Sequence, residues 1–267
     1  LGSSAANLDK LDLEGNLSQA VERNEFELFY QPQIEIKTRQ IVGVEALLRW
    51  RNPNRGIVLP TDFIPLAEET GLIHGIGEWV LRSACAQVKE WQNDGYESLR
   101  MAVNISNHQF THTDIGKTIE GILAETKLES KFLELELTES AVAQDIQKTV
   151  TILYELKRIG VSVAIDDFGT GYSSLSYLMD IPASNLKIDK SFIRNITTDA
   201  NYAFITRSII DMAHKLELKV IAEGVETPQE LHFLEQNYCD EIQGYLFSRP
   251  IPAQEIGKLL KAEKRGF

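Results

Sequence analysis

The chain has 267 residues, with 27 Lys and Arg against 39 Asp and Glu, a formal net charge of −12 and 43% hydrophobic residues. That is the balance of a folded domain large enough to bury a core without staples. The two cysteines, Cys85 and Cys239, exclude a disulfide framework and a cysteine zinc site and fit a reducing, cytoplasmic compartment; no apolar run approaches the ~18 residues of a membrane span, and the acidic balance argues against a non-specific nucleic-acid binder, which would need a basic face.

In chain order, Leu1-Gly2-Ser3-Ser4 lacks an initiator Met. Residues 1–14 read as a cloning scar and linker, 15–262 as one domain and 263–267 as a tail, cut from a larger protein. Strand patterns fall near residues 26–36, 42–50, 101–106, 132–138, 161–167, 185–190, 219–224 and 241–247. Helical spacing of apolar residues marks 78–91, 146–159 and 202–216. Thr227-Pro228 and Ile251-Pro252 look like helix starts. Such alternation predicts an α/β fold, a TIM-type (β/α)8 barrel. An open doubly wound sheet is the alternative, but Gln31-Pro32-Gln33 is no Gly-rich phosphate turn.

Strand side chains alternate faces with period two. Leu133, Leu135 and Leu137 oppose Glu134, Glu136 and Thr138; Val103 and Ile105 oppose Ala102 and Asn104; Val163 and Ile165 oppose Ala164 and Asp166. In a barrel the apolar face packs on helices, so the polar face points to the axis. Active sites form at the C-terminal ends of barrel strands. Glu45, Asn104, Glu136, Asp166, Asp167, Lys187, Glu223 and Gln243 are therefore expected at one mouth, with Asp167 admitted because its strand ends there. Glu134 and Glu241 lie deeper and are expected to be paired and structural.

The mouth would hold five carboxylates against Lys187 and Arg49. Two carboxylates 4 Å apart repel by ~4 kcal/mol at an effective dielectric near 20. Such a cluster protonates or binds cations. Carboxylates with an Asn oxygen suit Mg²⁺ or Mn²⁺, with Ca²⁺ also able to bind, rather than zinc. Adjacent Asp166 and Asp167 could serve two metals, an arrangement suited to phosphodiester hydrolysis. The five histidines (His74, His108, His112, His214, His232) follow no ligand spacing and read as surface or packing residues. The glycines in Phe168-Gly169-Thr170-Gly171-Tyr172-Ser173-Ser174 suit either an ordinary βα turn or a mobile loop coupling the aspartates to an interface.

The ordered motifs Gln31-Pro32, Glu45-Ala46-Leu47 with Arg49, Val103-Asn104-Ile105-Ser106, Glu136-Leu137-Thr138-Glu139, Asp166 to Ser174, Lys187-Ile188-Asp189, Glu223-Gly224-Val225-Glu226 and Gln243-Gly244-Tyr245 resemble those of the EAL-domain cyclic di-GMP phosphodiesterases. The likeness covers roughly residues 15 to 262 and no motif position departs from the active pattern. It implies a barrel whose first strand runs antiparallel to the others. It implies hydrolysis of cyclic di-GMP, a bacterial second messenger tied to biofilm formation, to linear pGpG. By position, Glu45, Asn104, Glu136 and Asp166 resemble ligands of a first metal, Asp166 and Asp167 those of a second, and Glu223 a nearby ligand or water-positioning group. Lys187 resembles the residue that holds or deprotonates the attacking water. Gln243 resembles a positioner of water or substrate, Arg49 a phosphate contact, Gln31 and Asp189 further pocket contacts, and Glu139 the acid that braces the Gly-rich loop. A homodimer, with the loop from Asp167 to Ser174 near its contact, and fusion to upstream sensory or GGDEF-type domains also follow by resemblance. Ca²⁺ is expected to bind without supporting efficient chemistry. Two other classes compete: a catalytically silent cyclic di-GMP receptor, whose relatives usually lose metal ligands, and an enolase-like metal barrel, in which Lys187 would be the base.

Overall fold

The computed structural model describes residues 13–171 and 178–264. Its strands are β1 (Phe26–Glu35), β2 (Ile41–Asn52), β3 (Gly56–Val58), β4 (Arg100–Asn104), β5 (Leu133–Thr138), β6 (Ser162–Phe168), β7 (Asn185–Ile188), β8 (Lys219–Glu223), β9 (Glu241–Gln243) and β10 (Ile251–Pro252). Eight of them close a barrel in the order β1-β9-β8-β7-β6-β5-β4-β2, returning to β1. β2 and β4 through β9 run parallel. β1 is antiparallel to both neighbours. The two unexpected strands are accessories: β3 hairpins off β2, and β10 bridges β1 at Phe29 and Tyr30.

The helical readings hold to within a few residues at each end, 202–216 falling on the helix Ala200–Lys215. Residues 78–91 lie within the helix Ile73–Asn93, which buries Val80, Leu81, Ala84, Cys85, Val88 and Trp91 against the strands. The helix Ile146–Ile159 matches its expected span, opened by the Asp145 cap and closed by Gly160 at φ 91. At Pro228–Gln236 the Thr227 hydroxyl and the Glu230 side chain form a reciprocal capping box.

Three expectations need correction. Ile251-Pro252 pairs with β1 and the helix begins at Ala253. The last strand stops at Gln243 rather than running to 247, because the chain must cross Val225: a Cβ on Gly244 would lie 2.1 Å from the Val225 carbonyl oxygen. β6 does not end at Asp167 but continues to Phe168. Of the expected linker, residues 1–12 lie outside the described residues, and 13–14 open a helix over 13–20. Of the expected tail, 263–264 close the helix Ala253–Lys264. Tyr172, Ser173 and Ser174 of the Gly-rich loop also lie outside the described residues. No described helix is long and apolar enough to cross a membrane.

The barrel interior is unusually polar. Ala102 and Ala164, both fully buried, face inward on β4 and β6 and leave width for the long, fully buried side chain of Lys187 on β7. Below that level sit Gln33, Arg100, Glu134, Asn185 and Glu241; above it sit Asn104, Thr138, Asp166 and Glu223.

Candidate active site

Lys187 is the hub of the upper cluster. Its Nζ lies 2.7 Å from Glu136 Oε2, 2.7 Å from Glu223 Oε1, 3.4 Å from Glu45 Oε2 and 3.5 Å from Asp166 Oδ1. Four strands thus deliver four carboxylates to one ammonium. Amides complete the shell around Glu45: Asn104 Nδ2 donates to Oε1 at 2.6 Å and Gln243 Nε2 donates to Oε2 at 2.5 Å. Gln243 Nε2 also donates to Gln31 Oε1 at 2.9 Å, and Gln31 Nε2 donates to the Ser248 carbonyl.

The pair Asp166 and Asp167 should face opposite ways under period-two alternation. A local irregularity prevents this. Asp167 adopts φ 53, and the pairing register with β7 shifts between Ile165 and Phe168, a bulge that turns both carboxylates to one side. Asp166 Oδ1 accepts from the Asp167 backbone N–H at 2.8 Å. Oxygens of Asp166, Asp167 and Glu223 lie within 4.8 Å of one another, as metal ligands would.

The charges respond to this crowding. Burial pushes the Glu45 carboxyl up, but the Lys187 ammonium and the hydrogen bonds from Gln243 and Asn104 outweigh it and leave Glu45 below the usual carboxylate range. Burial, reinforced by neighbouring Glu45, holds Glu136 well above that range despite Lys187. Burial likewise raises Glu223 to about 8, opposed by Lys187 and aided by Asp166. Asp167 is pushed up to about 6 by burial and by Asp166. Burial disfavours the Lys187 charge, yet the surrounding carboxylates keep the ammonium protonated.

A divalent ion fits this donor set. Glu136 Oε1 is buried and has no hydrogen-bond partner, although buried carboxylate oxygens are normally satisfied. An ion held by Glu45, Asn104, Glu136, Asp166, Asp167 and Glu223 would satisfy it and offset the mutual repulsion. All these donors are oxygens, the chemistry of hard cations.

The remaining expected residues fall around the rim. Arg49 shares the inward face of β2 with Glu45, half-buried over the Phe29 ring, its Nη1 donating to the Leu48 carbonyl. Asp189 is buried and caps the helix Lys190–Ile193 through Ser191 N–H. Glu139 Oε2 accepts from the Gly169 backbone N–H at 2.9 Å, tying the helix Glu139–Gln144 to the loop after the aspartates. Beside Asn104 and Thr138 opens an apolar cavity of about 630 Å³, bordered by Leu47, Ile64, Ile73 and Ile76.

Sequence reasoning missed two groups. Glu134 and Glu241 are indeed paired, but their partner, Arg100, was not foreseen: its Nη2 lies 2.6 Å from Glu241 Oε2 and its Nε 3.5 Å from Glu134 Oε1. A lone Arg opening a strand with two deep carboxylates nearby was the available signal. The histidines are not all scattered: His74, His108 and His112 meet, with ring centroids 5.0 and 4.3 Å apart. The spacing of His108 and His112, one helical turn apart, could have shown half of that.

The description "EAL domain" matches residues 14–250. The chain is 44% identical over 248 residues to the bifunctional diguanylate cyclase/cyclic di-GMP phosphodiesterase MucR of Pseudomonas aeruginosa, covering 93% of this chain and 36% of that protein. It is 44% identical over 253 residues to the cyclic di-GMP phosphodiesterase NbdA of the same organism, covering 95% and 32%. It therefore spans about a third of the length of these curated relatives. The solved complex of the PaMucR phosphodiesterase with c-di-GMP superposes with a TM-score of 0.89 at 44% identity, covering 92% of this chain and 99% of that one.

Proposed function

The chain belongs to the EAL-domain family, and on that premise we propose that it hydrolyses cyclic di-GMP to linear 5′-pGpG. The observation that carries this reading is the convergence of Glu45, Glu136, Asp166 and Glu223 on the Lys187 ammonium at the C-terminal mouth of the barrel, with Asp167 alongside. One or two Mg²⁺ or Mn²⁺ ions suit these ligands; when bound they supply Lewis-acid stabilisation of phosphoryl and leaving oxygens and a lowered pKa for water. Ca²⁺ enters the same oxygen set but tolerates looser geometry and supports little turnover.

The chain's own groups divide the rest. Lys187, 2.7 Å from both Glu136 and Glu223, holds or deprotonates the attacking water. Glu223, 2.7 Å from Lys187 Nζ, is placed to bind the ion or to position that water beside the ammonium. The guanidinium fork of Arg49 suits a bridging phosphate. Gln31 and Asp189 contact the substrate from the rim, and Gln243 fixes the Glu45 carboxylate. The apolar cavity beside Asn104 gives a purine an enclosed wall. By family analogy the domain works as a cytoplasmic homodimer, fused to upstream sensory or GGDEF-type domains, and lowers second-messenger levels.

The test is incubation of the purified protein with cyclic di-GMP and Mg²⁺ or Mn²⁺, followed by chromatography for pGpG. Glu45→Ala is expected to abolish turnover; a wild-type rate in that variant would sink the assignment. Binding of cyclic di-GMP by the wild type without cleavage would make the domain a receptor. Equal rates with Ca²⁺ and Mg²⁺ would overturn the ion preference.

A further inference from the structure

A line of side chains runs through the barrel from its base to its mouth. Arg100 Nη2 donates to Gln33 Oε1 at 2.8 Å, Gln33 Nε2 donates to Gln243 Oε1 at 3.2 Å, and Gln243 Nε2 donates to Glu45 Oε2 at 2.5 Å. Gln33 is fully buried and Gln243 nearly so. We propose that Arg100 and Gln33 are positioning residues that set the orientation of the Gln243 amide, and thereby the presentation of the Glu45 carboxylate at the candidate metal site.

A primary amide has a donating and an accepting end, and by shape alone it can sit either way round. Arginine only donates. Facing Arg100, Gln33 must present its oxygen, so its nitrogen faces Gln243. Gln243 must then present its own oxygen to Gln33, and its nitrogen is left for Glu45. A flipped Gln243 would set Oε1 against the Glu45 carboxylate and against Gln31 Oε1, lone pair to lone pair. Glu45 alone would favour the same orientation, but only the lower partners leave the reversed one, its NH₂ turned to the Gln33 NH₂, without an acceptor at its far end.

Two further observations support the line. Arg100 is itself fixed, gripped by Glu241 at 2.6 Å and by Glu134 at 3.5 Å. And β2 makes room for the contact: a Cβ on Gly43 would lie 2.7 Å from Gln33 Oε1 and 3.3 Å from Arg100 Nε. Glycine at this position leaves the amide and the guanidinium free to meet.

The proposal rests on the phosphodiesterase reading for its consequence, though not for its geometry. Two variants test it. Gln33→Glu keeps an acceptor for Arg100 but removes the donor to Gln243, so it invites the amide to turn. Gln33→Met removes both ends and leaves the amide unpinned. Both are expected to lower kcat/KM, with Gln33→Glu the worse at about 10–100-fold, the range for groups that hold a metal ligand. A purely structural role makes the loss of kcat/KM in each variant follow its loss of thermal stability, which is measured alongside. The second readout needs neither metal nor substrate. Hydrogen exchange of the Gln243 side-chain NH₂, followed by NMR in metal-free protein, is expected to be slow in the wild type and faster in both variants. Gly43→Ala should move both readouts in the same direction, more weakly. Wild-type kcat/KM together with wild-type exchange in Gln33→Glu would overturn the proposal. Accelerated exchange in the variants supports it even where the wild-type protein leaves cyclic di-GMP intact, a result that would remove only the phosphodiesterase reading.

Discussion

The two ends of the barrel bury the same kind of chemistry and use it differently. At the base, Arg100 stands between Glu134 and Glu241, with Asn185 donating to Glu134 and Gln33 accepting from the arginine. At the mouth, Lys187 stands among four carboxylates, with Asp167 a fifth nearby. The base sets one forked cation against two anions, with amides on the guanidinium and on Glu134 Oε2, although Glu134 Oε1 and Arg100 Nε stay without a hydrogen bond. The mouth gives one point charge more anions than it can neutralise. A planar guanidinium suits a permanent bidentate grip, whereas an ammonium on a flexible stem can share its protons as partners change. The comparison teaches that burial of charge alone does not mark a site; the size of the uncompensated surplus does.

The largest expected effect breaks the mouth outright. Lys187→Met strips the only buried cation from that cluster and should abolish turnover. It should also destabilise the protein by about 3–5 kcal/mol in urea unfolding, the range for removing one partner of a buried ion pair. Unchanged stability would show that the mouth is already compensated, and the contrast with the base would fail.

A middle-sized effect sharpens the contrast through pH. In the folded state Glu223 is raised from 4.5 to about 8. Between those values the native state holds more protons than the unfolded chain, so stability falls as pH rises. Glu136 and Asp167, both raised, act in the same direction. Glu45, held low, acts oppositely and loses its contribution as pH falls below 4.5. The metal-free protein should therefore melt at progressively lower temperature from pH 4.5 towards 8, and saturating Mg²⁺ should flatten the slope, since an ion that binds only the native state stabilises it. Glu223→Gln should flatten it too without metal.

The smallest effect concerns the bulge. Asp167 combines a carboxyl raised to about 6 with a left-handed φ of 53. Asn tolerates that conformation and carries no charge. Asp167→Asn should raise the melting temperature of the metal-free protein slightly while weakening activation by Mg²⁺, measured as the ion concentration for half-maximal rate. A lowered melting temperature would mean that the Asp167 charge stabilises the fold.

Much of the mouth was legible beforehand. Period-two alternation assigned Glu45, Asn104, Glu136, Asp166, Lys187, Glu223 and Gln243 to the inward face, because side-chain direction in a strand is a local property of the pleat. Asp167 was placed at the mouth for a partly wrong reason, since a bulge rather than a strand end turns it inward. Capping chemistry announced the helix after Thr227 for the same local reason. The hairpin partner β3, the bridge at β10 and the meeting of His74 with His108 were not legible, because each depends on segments brought together by closure of the barrel.

The sequence by itself determined which residues face inward and which end of each strand carries them, and its ordered motifs pointed to the family. Only the tertiary structure decided who meets whom: that Lys187 joins Glu45 across 142 positions, that Arg100 reaches Glu241 across 141, and that Gln33 touches Gln243 across 210. Facing is set by each strand's own dihedral angles. Partnership is set by the register between strands, which no single segment encodes, and here that register sets one cation against four carboxylates at the mouth and one against two at the base.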